Sequence, residues 1–303
     1  MARGFRHEKC GKYNIRIITT CDVVRFMKAK KSLGQNFLIN SAKINKVVDA
    51  LDLKKGDVVI EIGPGHGELT EFLVNRLLTF SEFKLLVIEK DKDLVVELQK
   101  KFKNKNIEVI SGDALKILKS YDLNLKSYKL TGNIPYYITG HLFRIIGDLK
   151  NKPAISVFTI QKEVAQRICA LRQAQGEQKM NLLAASVQFW AEPKIIDIVS
   201  KGNFRPIPKV DSAIIKLSPR TNADLTRTDV DKYYRFIKIL FKQPRKTILN
   251  NLLSVDLRGS KRGLTQMARE EIIKKLESIG INPLDRPEDL SLDEIIKMSQ
   301  IFR

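Results

Sequence analysis

The spacing of apolar residues divides most of the chain into alternating strands and helices. Unbroken apolar runs, as at 58–60 and 85–88, are typical of strands buried on both faces of a parallel sheet. Further strands are predicted at 107–110, 128–131, 155–160, 194–199 and 213–217. Between them apolar residues recur every three or four positions, which predicts amphipathic helices such as 69–77. This alternation favours a mostly parallel, doubly wound α/β sheet.

The pattern changes after Pro219, where strand-like runs stop and only helical spacing continues. Short amphipathic helices are predicted at 229–242, 245–254, 268–279 and 291–302. Ser291 and Glu294 form the spacing of a capping box at the start of the last helix. We therefore predict an α/β domain over 27–218 and a small all-helical C-terminal domain over 219–303.

Residues 1–26 differ from both regions. They hold six Lys or Arg against two acidic residues and follow neither a helical nor a strand period. The long apolar core of a secretory signal is missing from the segment. We expect a dispensable basic extension ahead of Met27, with a mitochondrial-type presequence as the alternative.

Composition narrows the class of protein. Hydrophobic residues make up 43% of the 303 positions, so the chain can bury a core and is not a disordered tail. No apolar run reaches the roughly 18–20 residues of a membrane span. The three cysteines and three histidines are unclustered, so neither a disulfide framework nor a metal site is predicted. We expect a cytoplasmic protein that is not bound to a membrane.

The charge points to a polyanionic partner. The chain has 54 Lys or Arg against 34 Asp or Glu, a formal net charge of +20. The densest window, 201–246, holds 12 basic and four acidic residues. Such an excess is often only a solvated face, but here it favours contact with nucleic-acid phosphates.

A glycine-rich turn, GPGHG at 63–67, lies between a predicted strand and a predicted helix. Small residues at such a turn let the backbone approach a ligand closely. The third glycine is Gly67, whereas the dinucleotide fingerprint G-x-G-x-x-G requires it at the position of Glu68. The spacing favours a ligand without a pyrophosphate, such as S-adenosylmethionine. An NAD-dependent oxidoreductase is the alternative, and a cofactor titration distinguishes the two.

Two carboxylates follow the next two strands. Glu89 ends one strand, where an ionised carboxylate can accept hydrogen bonds from ribose hydroxyls. Asp113 ends the next, where a carboxylate can accept from an adenine amino group. The plainer interpretations are a solvated charge for Glu89 and a helix N-cap for Asp113. Together with the glycine turn they form one constellation at consecutive strand ends.

The segment TGNIPYY at 131–137 ends the fourth strand. Its Asn-x-Pro-aromatic pattern resembles the [D/N]PP[Y/F] signature of enzymes that methylate exocyclic amino groups. The lone pair of an adenine N6 is delocalised into the ring, so this amine is a poor nucleophile. Hydrogen bonds to the Asn133 side-chain oxygen and a backbone carbonyl beside Pro135 would favour a more nucleophilic nitrogen. Tyr136 would stack on the base.

Taken together, these motifs resemble the ribosomal RNA adenine N6-dimethyltransferases. The segments KSLGQNFL (31–38), EIGPGHGELT (61–70), VIEKD (87–91), GDAL (112–115), GNIPYYIT (132–139), IQKEVAQRI (160–168) and FRPIPKVDSAIIKL (204–217) occur in the family's order over about residues 28–217. The resemblance implies a Rossmann-like class I methyltransferase sheet with a helical C-terminal RNA-binding domain. Within the family the chain looks like the KsgA type, which dimethylates two adjacent adenosines near the 3′ end of small-subunit rRNA.

The resemblance also implies a set of roles. S-adenosylmethionine would be contacted by Asn36, Leu38, Gly63, Gly65, Glu89, Asp113 and Asn133. Asn133, Pro135 and Tyr136 would hold the target amine, and Tyr136 and Phe204 would contact the target base. A core position for Phe204 is the alternative. The implied partners are small-subunit rRNA and the immature small subunit, and we expect a monomer.

Three features depart from the family pattern. Gly140 follows Thr139 where the family often has Ser or Thr, and residues 171–181 replace a loop that usually contains Pro-Gly and reaches a Tyr-Gly pair. Pro244 replaces the first Arg of an Arg-Arg-Lys run. The first two concern the substrate side, and the third weakens one RNA contact. Two other functions on the same fold stay open: a large-subunit rRNA adenine N6-methyltransferase of the antibiotic-resistance type, and a non-catalytic RNA-binding assembly factor. The intact Asn-Ile-Pro-Tyr segment argues against the second.

Overall fold

The structure is a computed structural model that describes residues 34–80, 82–103, 106–120, 125, 127–169, 179–220, 229–254 and 266–302. The expectations for 1–26 and for most of the 171–181 loop lie outside these ranges. Within them, no helix is both long and apolar enough to cross a membrane.

The described residues form nine strands and eleven α-helices. The strands are β1 (Phe37–Leu38), β2 (Val58–Ile62), β3 (Lys84–Glu89), β4 (Ile107–Ser111), β5 (Lys129–Asn133), β6 (Ile155–Gln161), β7 (Ala191–Val199), β8 (Phe204–Arg205) and β9 (Ser212–Pro219). The helices are α1 (Ser41–Ala50), α2 (Glu68–Leu77), α3 (Lys92–Lys101), α4 (Ala114–Ser120), α5 (Thr139–Asp148), α6 (Lys162–Ile168), α7 (Leu182–Gln188), α8 (Val230–Leu240), α9 (Ile248–Leu253), α10 (Gln266–Glu277) and α11 (Leu292–Ile301).

Seven strands form one sheet in the order β4-β3-β2-β5-β6-β9-β7. The first five in this order run parallel, and β9 is antiparallel to both β6 and β7. The strand order reverses direction between β2 and β5, so the carboxyl ends of β2–β5 meet at one edge, where open α/β sheets bind ligands. The predicted mostly parallel α/β sheet is confirmed.

A separate two-stranded ribbon was not predicted. β1 pairs antiparallel with β8, with Phe37 opposite Arg205 and Leu38 opposite Phe204. The amide of Ile39 donates to the carbonyl of Asn203 at 2.9 Å. The ribbon ties the start of the described chain to the segment between β7 and β9.

The sheet is covered by one apolar cluster on each face. The first cluster continues from the sheet through α5 and α7 into the C-terminal helices. There Phe189 stacks on Tyr233 with ring centroids 3.9 Å apart, and the Tyr233 hydroxyl donates to the carbonyl of Ala185 at 2.9 Å. Because one core runs through both regions, the C-terminal helices are anchored to the sheet. The boundary between 218 and 219 stays a prediction.

The C-terminal region forms the predicted kind of structure. After Pro219 ends β9, the residues that the structure describes form helices and turns. The last helix has the predicted capping box: Ser291 accepts from the amide of Glu294 at 3.3 Å, and the Glu294 carboxylate accepts from the amide of Ser291 at 2.7 Å. Two orphan helix donors are thereby satisfied.

Candidate active site

The carboxyl ends of β2–β5 open into a cavity of about 370 Å³. Eight of the ten residues predicted to bind cofactor or substrate line it: Asn36, Gly63, Gly65, Glu89, Asp113, Asn133, Pro135 and Tyr136. These residues come from five separate segments of the chain. The structure therefore brings most of the predicted constellation together in one place.

The glycine turn and Glu89 are joined directly. One Glu89 oxygen accepts from the amide of Gly65 at 3.2 Å, and the other accepts from the amides of Lys90 and Asp91, each at 2.8 Å. A carboxylate offers about four acceptor sites, so about one remains for a ligand hydroxyl. Glu89 is buried, and this burial outweighs the hydrogen bonds and raises the pKa of its carboxyl.

The N-terminal segment packs on the same turn. The ring of Phe37 lies 4.7 Å from the ring of His66, centroid to centroid. A β-carbon on Gly65 would lie 2.7 Å from the Phe37 ring, and Gly65 has φ +62°. Only glycine combines this backbone conformation with so close a neighbour. Residues 34–37 therefore form one wall of the cavity against the turn.

Asp113 is a helix N-cap, the plainer of its two predicted interpretations, and its contact with an adenine amino group stays a prediction. One oxygen accepts from the amide of Leu115 at 3.0 Å, as a helix N-cap does, and the other binds Lys90 Nζ at 3.0 Å. Partial burial opposes ionisation, but these hydrogen bonds outweigh it and lower the pKa of Asp113. The Lys90 side chain is exposed, so this ion pair is weak and a ligand amine could displace it.

Asn133 is placed by a close approach of two strands. A β-carbon on the preceding Gly132 would lie 2.3 Å from the carbonyl oxygen of Ile62, so glycine is required for β5 to come this near to β2. The Asn133 amide nitrogen donates to the carbonyl of Asn36 at 2.6 Å. The Asn36 carbonyl can only accept a hydrogen bond, so the side-chain atom of Asn133 that faces it is the nitrogen and not the oxygen. No described residue donates to the Asn133 side-chain oxygen.

The two tyrosines after Pro135 differ in exposure. Tyr136 is half-buried, and its hydroxyl lies 3.0 Å from the Ser212 hydroxyl. Burial raises the pKa of Tyr136. Tyr137 is 64% exposed, lines the cavity and packs beside Gly34. Only Tyr136 was predicted to contact the base, although its neighbour presents more of its ring to solvent.

Leu38 and Phe204 lie elsewhere. Both side chains are buried in the second apolar cluster, at 7% and 1% exposure, and neither lines the cavity. Both side chains therefore have a packing role in this structure, and the cofactor contact of Leu38 and the base contact of Phe204 stay predictions. They lie opposite each other in the β1–β8 ribbon, so they hold the N-terminal wall in place.

Glu61 was not predicted from the sequence. It lies in β2 next to Ile62, which lines the cavity, is 1% exposed and accepts from the Thr70 hydroxyl at 2.7 Å. Burial raises the pKa of Glu61 to about 8, and the nearby carboxylates of Glu68 and Glu89 add to the shift. The available signal was a single charge inside the apolar run VVIEI. Such a buried, perturbed group beside a cavity is typical of functional sites.

Other lining residues were also not predicted. They include Gln35, Ile88, Lys90, Gly112, Tyr137 and His141. Among the described residues, no group of three or more His, Cys, Asp or Glu side chains is arranged to hold a metal ion. The cavity therefore offers amide, carboxylate and aromatic groups for binding.

Two solved structures share this fold. A dimethyladenosine transferase from Plasmodium falciparum has a TM-score of 0.69 and 24% identity, covering 86% of this chain and 95% of that one. The 23S rRNA methyltransferase ErmE has a TM-score of 0.62 and 22% identity, covering 88% and 99%. The fold is that of a Rossmann-like class I methyltransferase.

Sequence comparison then gives the family. A family model described as ribosomal RNA adenine dimethylase matches residues 26–284. A ribosomal RNA small subunit methyltransferase A from Mycoplasma capricolum subsp. capricolum is 40% identical over 284 residues, which cover 91% of this chain and 98% of that protein. The protein of the same name from Dehalococcoides mccartyi strain CBDB1 is 38% identical, covering 90% and 88%. The chain belongs to the ribosomal RNA adenine dimethylase family of enzymes.

Proposed function

We propose that this protein transfers methyl groups from S-adenosylmethionine to the N6 amines of two adjacent adenosines near the 3′ end of small-subunit rRNA. The observation that carries the proposal is the orientation of Asn133. Its amide nitrogen is held by the Asn36 carbonyl, so its oxygen is left to accept a hydrogen bond in the cavity. The names of the relatives support small-subunit rRNA as the substrate.

The strand ends fit the cofactor. Gly63, Gly65, Glu89 and Asp113 line the cavity. The two glycines would let the backbone of the turn approach the cofactor, Glu89 would accept from a ribose hydroxyl, and Asp113 would accept from the adenine amino group. Asn36 belongs to the N-terminal wall of the cavity, where its carbonyl accepts from the Asn133 amide nitrogen. When bound, S-adenosylmethionine would supply an electrophilic methyl group.

The target amine is then activated by hydrogen bonding. The Asn133 side-chain oxygen and a backbone carbonyl beside Pro135 accept from the two N6 hydrogens and make the nitrogen more tetrahedral. The Pro135 carbonyl already accepts from the Ile138 amide at 3.1 Å, and its second lone pair remains. A strong general base is not required, because the proton leaves after methyl transfer.

Aromatic stacking holds the base. Tyr136 has its hydroxyl fixed by Ser212, which orients its ring at the cavity wall. Tyr137 adds an exposed ring at the mouth. Stacking is worth about 1–3 kcal/mol per base, so these rings can stabilise an adenosine removed from its own stack. We further propose that the protein acts as a cytoplasmic monomer on the immature small subunit.

Methyl transfer tests the proposal. Purified protein is incubated with tritium-labelled S-adenosylmethionine and either immature small subunits or large-subunit rRNA, and modified nucleotides are mapped by primer extension. We expect label on two adjacent adenosines of small-subunit rRNA. Label only on large-subunit rRNA would replace the proposal with the resistance-type activity. Cofactor binding without label on either RNA would favour a non-catalytic assembly role.

A further inference from the structure

A second depression lies beside the cavity, on the surface formed by the end of β6 and the start of β9. Its volume is about 450 Å³. Three lysines, Lys162, Lys201 and Lys209, line it together with Gln161 and Asp211. We call it the lysine depression. None of these residues takes part in the proposed methyl transfer.

The lysine depression is connected to the cavity wall through a single pair of opposed strand residues. Gln161 at the end of β6 is opposite Ser212 at the start of β9. Ser212 in turn is hydrogen-bonded to the Tyr136 hydroxyl at 3.0 Å. An RNA strand whose base enters the cavity at Tyr136 must therefore run close to this depression.

The carboxylate between the lysines holds their segments together. Asp211 accepts from the backbone amide of Lys201 at 3.0 Å through its side chain. Its carbonyl accepts from the backbone amide of Lys162, also at 3.0 Å. Asp211 thus ties two lysine-bearing segments to the start of β9 through main-chain amides, and the ammonium groups are left for other partners.

The two carboxylates of the depression, Asp211 and Glu163, offset only part of the charge of its three lysines. None of the three lysine ammonium groups forms an ion pair with a carboxylate of the described residues. The other acidic residue at the rim, Glu163, is bound by Arg167. Gln161 adds an uncharged hydrogen-bonding group. This set suits a phosphate, which lysines bind as point charges.

We infer that the lysine depression binds a backbone phosphate of the rRNA strand next to the nucleotide whose base enters the cavity. The inference rests on the proposed function for the identity of the RNA. Contacts to phosphate carry no sequence information, but they fix the register of the strand. The depression would thereby set which adenosine reaches Asn133.

The chain offers a matched control. Lys194 and Lys216 are opposite each other on β7 and β9 and line another depression, of about 730 Å³. That depression also contains carboxylates, Asp49 and Glu192. Removing two lysines there changes the net charge equally without touching the strand ends around the cavity.

The test compares two double variants, Lys201→Gln with Lys209→Gln and Lys194→Gln with Lys216→Gln. Affinity for an RNA of the 3′ end of small-subunit rRNA is measured over a series of salt concentrations. For the first variant we expect roughly tenfold weaker binding at low salt and a salt slope reduced by up to roughly 1.4, since each single-strand phosphate contact contributes roughly 0.7. The second variant and cofactor affinity should remain at wild-type values.

Two further readouts separate charge from folding. Lys201→Arg with Lys209→Arg should restore most of the affinity, and KM for RNA should rise in the glutamine variant while kcat at saturating RNA is kept. Equal weakening in both double variants, or an unchanged salt slope, would overturn the inference. Methyl transfer by the wild-type protein is measured separately. If only the first double variant loses RNA affinity and salt dependence, but the wild-type protein labels no rRNA, the phosphate site is supported and the proposed function is contradicted.

Discussion

The proposed cofactor side and the proposed RNA side of the cavity are built in different ways. On the cofactor side, short motifs at consecutive strand ends place their groups through local contacts, and Glu89 is buried and held by three backbone amides. On the RNA side, Asn133 and Tyr136 depend on partners far along the chain, Asn36 and Ser212. Tyr137 and the lysine depression are open to solvent.

The difference follows from what each side must recognise. A small cofactor can be enclosed, so its polar partners gain from burial and preorganisation. An RNA strand is large and charged, so its partners stay exposed and rely on phosphate contact and stacking. Asn133 lies where the two sides meet, which is where a substitution should have the largest effect.

Asn133→Ala tests that junction. It removes the acceptor for the target amine, and we expect kcat for methyl transfer to fall about 100- to 1000-fold, the range for loss of one preorganised hydrogen-bonding group. The measurement is single-turnover transfer of tritium to small-subunit rRNA. The control is Asn282→Ala, an exposed asparagine bonded only locally to Asp285 and Leu284. Transfer at wild-type rate in Asn133→Ala would contradict the assignment.

Gly65→Ala tests whether the cofactor side and the N-terminal wall form one unit. The added methyl would lie 2.7 Å from Phe37, and the residue would be held at φ +62°. We expect a loss of about 2–4 kcal/mol in the free energy of unfolding, from backbone strain plus overpacking. Gly56→Ala shares a positive φ, +80°, but meets nothing within 4 Å, so it should show the smaller loss. Urea unfolding measures the free energy of unfolding of both variants. Equal losses would show that the N-terminal wall shifts to admit the added methyl group without a further loss of stability.

Glu61→Gln tests the buried carboxyl of β2. Its pKa is about 8 in the folded protein against 4.5 as the ordinary value, so the folded state binds the proton more tightly. Stability contributed by this group is therefore present below pH 4.5 and lost as the pH rises towards 8. A pKa difference of one corresponds to about 1.4 kcal/mol, so at pH 8 we expect the variant to exceed the wild type by about 4 kcal/mol, a difference that shrinks towards pH 5.

The measurement for Glu61 is urea unfolding at pH 5 and pH 8. The exposed Glu82→Gln serves as the control, since its side chain is 71% exposed and should leave the pH profile unchanged. A Glu61→Gln profile parallel to that of the wild type would show that the carboxyl ionises normally.

Tyr137→Ala tests the openness of the RNA side. Loss of the exposed ring should weaken affinity for the 3′-end RNA about tenfold, within the range for one stacked base, while cofactor affinity stays the same. Leu284→Ala removes a similarly exposed apolar side chain, 68% exposed, from the helical region and should have no effect on RNA binding. If both variants bind RNA like the wild type, the stacking role belongs to Tyr136 alone.

Much of the cofactor side could be predicted from the sequence. Buried parallel strands are unbroken apolar runs, and their carboxyl ends share one edge, so the glycine turn, Glu89 and Asp113 could be placed together before any coordinates. The β1–β8 ribbon could not be predicted, because strands of two residues are too short to show an alternation of apolar and polar residues. The buried position of Phe204 agrees with the core alternative, which sequence alone could not separate from a pocket position because an aromatic residue beside prolines gives the same pattern in both. Tyr136 and Tyr137 differ in how far their side chains are exposed to solvent. The sequence could not predict that difference, because the two tyrosines are adjacent and identical.

The β1–β8 ribbon also has a consequence for how the molecule is made. The Asn40–Asn203 side-chain hydrogen bond beside it joins residues 163 positions apart, so the cavity wall closes only by a long-range contact. During synthesis, residues 34–40 emerge early and must wait for the segment around 203–205 to leave the ribosome. The N-terminal wall of the cavity thus gains its ribbon partner only late in translation, after the glycine turn has already been made.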